Sequence, residues 1–388
     1  MLPAAMRLGI FLPNWIGDVV MATPAIRALR KLVGADGQLI GIMRPYVAEV
    51  LAGTPWLDGQ ILYDKPPHRF AMASREVYRQ LRSARLDQAV LLTNSLRTAW
   101  IAWRSGARER LGHAHDARSW LLTKRLPRPR LAGGRFATTL DAYLTLAEAA
   151  GAPPEPPRLE LATTPADEQA ADTVWRQLAL PPGERVVVLN SGGAFGAAKH
   201  WPAEHFAELA RRIAGRRGDN LAVLVNCGPG ERDIAREIAA RAAHPQVVSL
   251  ADVEQLPMGL TKACIRRGRM LVTTDSGPRF FGIAFGKPVV TLFGPTDPEA
   301  TATRYDRETC LSLSLECQPC MARTCPLVHH RCMRDMSVDH VYSAVARYLD
   351  ASPVWRLESG RGGEWERGRL DASAQTILPI SPSPRLPI

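Results

Sequence analysis

The feature that most constrains this chain is an alternation that occurs twice. Short apolar runs of strand length alternate with longer stretches of helical character. In the first half Arg7–Leu12, Leu39–Met43 and Gln88–Leu92 read as strands, and Val19–Val33 reads as a helix with Pro24 in its early turns. The pattern stops at Gly151-Ala-Pro-Pro-Glu-Pro-Pro157, a proline cluster suited to a stiff linker or domain edge. It then restarts. Thr164–Leu178 reads as a helix capped by Thr164 or Asp167, Arg185–Asn190 as a strand buried on both faces, and Ala203–Ala214 as a helix. Strands at Leu221–Asn226, Val247–Leu250, Met270–Thr274 and Pro288–Phe293 follow, with helices at Glu231–Ala242 and Arg279–Phe285. Such alternation builds parallel sheets covered by helices on both faces. The expected fold class is α/β, with two doubly wound domains at residues 1–157 and 158–350. From Ala351 the chain turns rich in Gly, Arg, Ser and Pro, and residues 351–388 are expected to be disordered.

A length of 388 residues suits two such domains. No apolar run approaches the roughly 18–20 residues of a membrane-spanning helix. The run Leu8–Leu12 is too short for a signal peptide and no small-residue cleavage site follows it, so a cytoplasmic protein is expected. The net charge is +11, and its distribution says more than its size. Between Lys65 and Arg135 stand 16 Lys or Arg against four Asp or Glu, which leaves the remainder nearly neutral. A basic face confined to one half fits an anionic partner: nucleic acid, lipid headgroups or a phosphorylated glycolipid. A solvated arginine-rich surface is the plainer alternative.

In open parallel sheets, ligands bind beyond the carboxyl ends of the strands, so the loops there carry the chemistry. Pro13-Asn-Trp-Ile-Gly-Asp18 follows the first strand. Asp18 suits a helix N-cap, and in a cleft it also suits a general base. Ser191-Gly-Gly-Ala-Phe-Gly-Ala-Ala-Lys199 follows Arg185–Asn190; its glycines let amide groups approach an anion, and Lys199 adds a point charge. This is not the P-loop pattern, and an exposed flexible loop is the alternative. Asp275-Ser-Gly-Pro278 opens a helix whose start, at Ser276 and Gly277, is an anion site through its free N–H groups and dipole. Glu231 opens another helix, where it suits either a ribose contact or a first-turn acid.

Taken in order, these segments resemble glycosyltransferase family 9, the lipopolysaccharide heptosyltransferases, and within it the heptosyltransferase II branch. The matching residues are Pro13-Asn-Trp-Ile-Gly-Asp18, Thr93-Asn-Ser-Leu-Arg97, Gly192 to Lys199 with Trp201-Pro202, Thr274-Asp-Ser-Gly-Pro278, Gly286-Lys-Pro288 and Phe293-Gly-Pro-Thr296. The resemblance implies a GT-B architecture, two Rossmann-like domains facing a central cleft. It also implies inverting transfer of heptose from ADP-heptose to the anionic glycolipid of the inner core. Asp18 matches the family's proposed base. Lys199 matches the lysine that neutralises the departing diphosphate, Ser276 and Gly277 the helix start that holds it, and Glu231 the ribose contact. With Lys199 and the helix start supplying positive potential, no cofactor is required. The basic half then suits peripheral contact with the inner face of the membrane. Relatives commonly carry histidine where this chain has Phe280. Asp275 and Arg279 are assigned to the donor site, with Arg279 expected to make up for that histidine. Ser191 stands where relatives often have proline.

Five of the seven cysteines crowd between Cys310 and Cys332. Cys317, Cys320, Cys325 and Cys332 offer four thiolates to a structural zinc ion, with His329 and His330 between them; reduced structural thiols are the alternative. Two other functions fit parts of the sequence: a family 9 transferase using a different nucleotide sugar or acceptor, and a basic, zinc-containing nucleic-acid-binding protein. The latter lacks aromatic residues interleaved with the basic stretch as a stacking platform would need, and no nucleic acid is expected as a partner.

Overall fold

A computed structural model describes residues 5–64, 72–131, 134–193 and 196–351. The expected disordered tail beyond Ala351 lies outside the described residues, as do 65–71 of the basic stretch and 194–195 of the glycine loop.

Two six-stranded sheets form, and every pairing is parallel. The first contains β1 (Arg7–Phe11), β2 (Gln38–Met43), β3 (Gly59–Leu62), β4 (Gln88–Leu91), β5 (Glu109–His113) and β6 (Lys124–Leu126), in the order β3-β2-β1-β4-β5-β6. The second contains β7 (Val186–Asn190), β8 (Ala222–Asn226), β9 (Val247–Ser249), β10 (Met270–Thr274), β11 (Val289–Phe293) and β12 (Glu308–Ser312), in the order β12-β11-β10-β7-β8-β9. The two orders share one winding. In each, the first strand pairs with its second on one side and its fourth on the other. The strand order therefore reverses between β1 and β4, and between β7 and β10, where open α/β sheets leave a crevice.

Four strands, β3, β5, β6 and β12, were not foreseen. They lie at or beside a sheet edge and carry polar residues such as Glu109-Arg110 and Lys124-Arg125. Strands covered on one face only do not show a continuous apolar run. The expected helix Val19–Val33 is two helices, Ile16–Met21 and Thr23–Val33. Pro24 sits in the first turn of the second, where its missing N–H breaks no bond. Thr23 Oγ1 donates to the Val20 carbonyl at 2.8 Å, satisfying a group the break would orphan. Further on, Thr164 and Asp167 both cap: they form a reciprocal capping box.

The halves share apolar packing. One core cluster runs from Leu8, Ile10 and Val19 into Phe280, Phe281 and Ile283 of the helix Gly277–Ala284. Here the backbones approach closely. A Cβ on Gly17 would stand 2.7 Å from the Phe280 ring, and one on Gly277 would stand 2.9 Å from Ile16 Cγ2. Lys262, fully buried, donates to the carbonyls of Ala52 and Ala162 at 3.0 Å each, pinning the second half to the first and to the segment ahead of the helix Pro165–Gln177. The ion pairs Arg135–Glu299 and Arg304–Asp141 add surface ties. Among the described residues no helix is long and apolar enough to cross a membrane.

Candidate active site

At the carboxyl ends of β8, β7 and β10 each apolar run ends on a polar residue, and the register sets these side by side. Asn190 pairs with Asn226 on one side and Thr273 on the other. Asn226 Nδ2 donates to Asn190 Oδ1 at 2.9 Å. Asn190 Nδ2 lies within hydrogen-bonding distance of the Gly192 carbonyl (3.1 Å), Ser276 Oγ (3.2 Å) and Thr273 Oγ1 (3.3 Å). Thr274 Oγ1 also donates to the Gly192 carbonyl, at 3.3 Å. This buried polar strip fixes the Gly192–Gly193 backbone against the start of the helix Gly277–Ala284. Sequence reasoning missed Asn190, Asn226 and Thr273. The available signal was the polar residue closing each apolar run.

Ser276 is the N-cap of that helix, yet its side chain makes no cap bond. Among the described residues the N–H groups of Ser276 and Gly277 have no hydrogen-bond acceptor. The first-turn donors thus stay available to an anion. Lys199 stands at the same place. Its ammonium donates to Asp275 Oδ2 at 2.6 Å and to the Asp275 carbonyl at 2.7 Å, and the pair is almost fully buried. Thr296 Oγ1 donates to the same carboxylate oxygen at 2.7 Å. Burial works against the Asp275 charge, but Lys199 and Arg279 outweigh it and hold the carboxyl below its ordinary value. Asp275 therefore acts on Lys199, anchoring the ammonium beside the helix start.

The structure corrects the expectation for Arg279. Its side chain is fully buried, with Nε 2.6 Å from Glu308 Oε1, Nη2 3.0 Å from Glu308 Oε2 and Nη1 2.8 Å from Thr301 Oγ1. Burial opposes its charge, and Glu308 overcomes that and raises the guanidinium above its ordinary value. Arg279 braces Asp275 from behind, at 3.4 Å, and does not reach the cleft. Phe280 likewise serves packing: 4% exposed, it fills the space left by Gly17.

Asp18 lies across the crevice, in the first turn of the helix Ile16–Met21, whose N-cap is Trp15. The cap alternative therefore fails. Among the described residues its carboxylate accepts no hydrogen bond, although the site is partly buried. Desolvation, and then the charge of Asp275, push its pKa up from 3.8 to about 6. The Asp18 field also reaches the buried phenol of Tyr143, which burial first and Asp18 second raise well above the ordinary value. A strongly raised carboxyl in a crevice is what a general base near neutral pH needs.

Glu231 lies over the glycine loop. Its Oε2 accepts from the Gly228 N–H at 2.9 Å, and a Cβ on Gly192 would stand 1.9 Å from Oε1. One oxygen serves the local turn, and the carboxylate borders the loop. On the other half, the segment after β4 is held from behind. Arg118, fully buried, donates to the Thr93 carbonyl, to Asn94 Oδ1 at 3.1 Å and to the His113 carbonyl at 2.7 Å. Arg44 and Arg97 lie 5.3 and 5.5 Å from the Tyr63 ring centroid, at the carboxyl ends of β2, β3 and β4. Sequence reasoning had not singled out Arg44, Tyr63 or Arg118.

Cys317, Cys320, Cys325 and Cys332 line one small cavity, together with His329. Among the described residues no group of three or more His, Cys, Asp or Glu stands ready-made to hold a metal ion.

This arrangement has known counterparts. Residues 74–330 match the family model described as glycosyltransferase family 9 (heptosyltransferase). The chain is 28% identical to the lipooligosaccharide heptosyltransferase 2 of Campylobacter jejuni over 44% of its own length and 53% of the relative's, so that match spans about half of the relative. It is 25% identical to the lipopolysaccharide heptosyltransferase 2 of Escherichia coli over 76% of this chain and 85% of that one. Among solved structures, E. coli ADP-heptose lps heptosyltransferase II superposes with a TM-score of 0.71 at 21% identity, covering 89% of this chain and 98% of the other. The fold is thus GT-B, and the chain belongs to glycosyltransferase family 9, the heptosyltransferases.

Proposed function

We propose that this chain transfers heptose from ADP-heptose to the anionic inner-core glycolipid of lipopolysaccharide, with inversion at the anomeric carbon. The observation that carries the reading is the pairing across one crevice of a raised carboxyl, Asp18, with a helix start and a buried lysine, Ser276–Gly277 and Lys199. The names of the relatives supply the sugar, the nucleotide and the acceptor.

In this reading the diphosphate rests on the N–H groups of Ser276 and Gly277, and Glu231 meets the ribose. An acceptor hydroxyl oxygen attacks the anomeric carbon from the face opposite the diphosphate and gives its proton to Asp18. The new carbon–oxygen bond forms as the bond to the β-phosphate oxygen breaks, and the electron pair leaves with ADP. Lys199 and the helix dipole lie where that charge develops, where fixed positive potential accelerates the step. These groups meet the electrostatic need without a further cation. Asp275, Thr296 and Arg279 position Lys199.

The acceptor half is basic, and Arg75, Arg79, Arg82 and Arg104 are exposed on the helices Arg75–Ala84 and Leu96–Arg104. That surface suits a peripheral position against anionic lipid on the cytoplasmic side. A thermal-shift screen of ADP-heptose against GDP- and UDP-sugars tests the assignment. The largest stabilisation is expected from the ADP sugar; a preference for another nucleotide would overturn it.

A further inference from the structure

The segment from Leu313 to His330 is the largest feature the proposed chemistry leaves unused. It joins β12 to the short helix Arg331–Arg334 with no regular structure, and irregular loops beyond about 12–15 residues need a reason to stay ordered. Leu313 and Leu315 pack against the core, but the stretch after them offers little packing of its own. Met321, Leu327 and Val328 are exposed, Val328 by 77%. Met321, Val328 and His330 adopt positive φ of 54°, 61° and 50°, a strained region for residues with a Cβ and most so for β-branched Val328.

Yet the segment holds defined positions against the donor side of the cleft. Gln318 Nε2 donates to the Gly294 carbonyl at 2.6 Å, and the Met321 N–H to the Pro295 carbonyl at 2.8 Å. The Arg323 carbonyl accepts from Ala198 N–H, next to Lys199, at 3.1 Å. Gly196, at φ 145°, makes room for that carbonyl: a Cβ there would stand 2.5 Å from the oxygen. The Arg323 guanidinium lies 5.6 Å from the ring centroid of Trp15, the N-cap residue of the helix that carries Asp18. One irregular segment thus touches the turn of the lysine and the helix of the base.

The segment and the helix after it bring four thiols to one cavity. Cys317, Cys320, Cys325 and Cys332 line one cavity of about 20 Å³, room for an ion and for no organic ligand. We propose that these four cysteines bind a single zinc ion, which ties the segment down and thereby holds the Lys199 turn and Arg323 in place. The donor set is that of a closed structural zinc site, four thiolates in a tetrahedron. The four thiol protons pass to solvent as the ion binds. The side chains are not already closed to ligand geometry. They share one cavity, however, and staggered χ1 rotation of cysteine moves Sγ while the backbone stays in place.

Elemental analysis of the untagged, reduced full-length chain decides the matter. About one zinc per chain is expected, with Cys317→Ser and Cys332→Ser losing it and Cys310→Ser keeping it. Cobalt(II) exchanged into the site should show thiolate-to-cobalt charge-transfer absorption. Removing the ion with a chelator should speed proteolysis within 313–330 and weaken ADP binding several-fold, by about 3–10-fold through the loosened Lys199 turn. Should the cysteine variants fail to fold, the metal content of the unmodified chain still answers. Less than about a tenth of an ion per chain after equilibration with zinc, or a disulfide among these cysteines in the purified protein, would overturn the proposal. Unchanged ADP affinity after zinc loss would overturn its link to the donor site.

Discussion

At the residue scale the proposed reaction rests on two groups of opposite charge, Asp18 and Lys199. Asp18 is raised to about 6 by desolvation and by Asp275, so it is a stronger base than a free carboxylate and still mostly ionised above neutrality. The acid limb of kcat/KM should therefore fall near pH 6, and a pH–rate profile measures it. The same shift has a stability consequence. A carboxyl raised on folding favours the folded state below its unfolded value and loses that contribution as pH rises through the folded one. Asp18→Asn should thus stabilise the fold at pH 8, by at most about 3 kcal/mol and with a higher Tm, and change little at pH 4. Thermal unfolding at the two pH values checks the sign. Lys199→Met removes the proposed leaving-group cation and leaves Asp275 with Arg279 and Thr296. A loss in kcat of about 10²–10³-fold is expected, together with weaker ADP binding. Asp18, Lys199 and Ser276 were legible because each follows an apolar run that ends at the same edge of a sheet. Arg279 and Phe280 were not. Arg279 through Ile283 are all buried, so periodicity could not say which side of that helix faces the crevice.

At the element scale the crevice depends on two helix starts brought together by glycines. Gly17 and Gly277 let the helices Ile16–Met21 and Gly277–Ala284 meet almost backbone to backbone. Gly17→Ala places a methyl where the Phe280 ring lies, and overpacking of this kind costs about 1–3 kcal/mol. Chemical denaturation should show that loss, and activity should fall with it as Asp18 shifts from the donor loops. Phe280→Ala combined with Gly17→Ala should recover part of the activity, since the ring is what the methyl strikes. The strands that carry this site were visible as runs buried on both faces. The edge strands were not, because half-covered strands admit the charged residues seen in β5 and β6. The break at Ala22 is not legible in the sequence because a proline early in an apolar stretch fits both a kinked helix and the start of a new one.

At the scale of the whole molecule, the two sheets share one strand order, and the two reversal points face each other with Asp18 on one side and Lys199 on the other. The repeated winding was legible in the repeated alternation. The contact between halves was not, since it rests on Lys262 reaching the Ala52 carbonyl and on Phe280 meeting Gly17, pairings distant in sequence. The charge asymmetry predicts association with vesicles containing anionic lipid at low salt and release as salt shortens the screening length to about 3 Å near 1 M. Flotation assays measure this, and indifference to lipid charge would contradict it. The central claim is that base and donor clamp serve one reaction across the crevice. It is tested most directly by steady-state transfer from ADP-heptose by Asp18→Asn, alongside ADP affinity. The account predicts kcat lowered by about 10²–10⁴-fold with ADP binding unchanged within about twofold. A variant that turns over at the wild-type rate would contradict it.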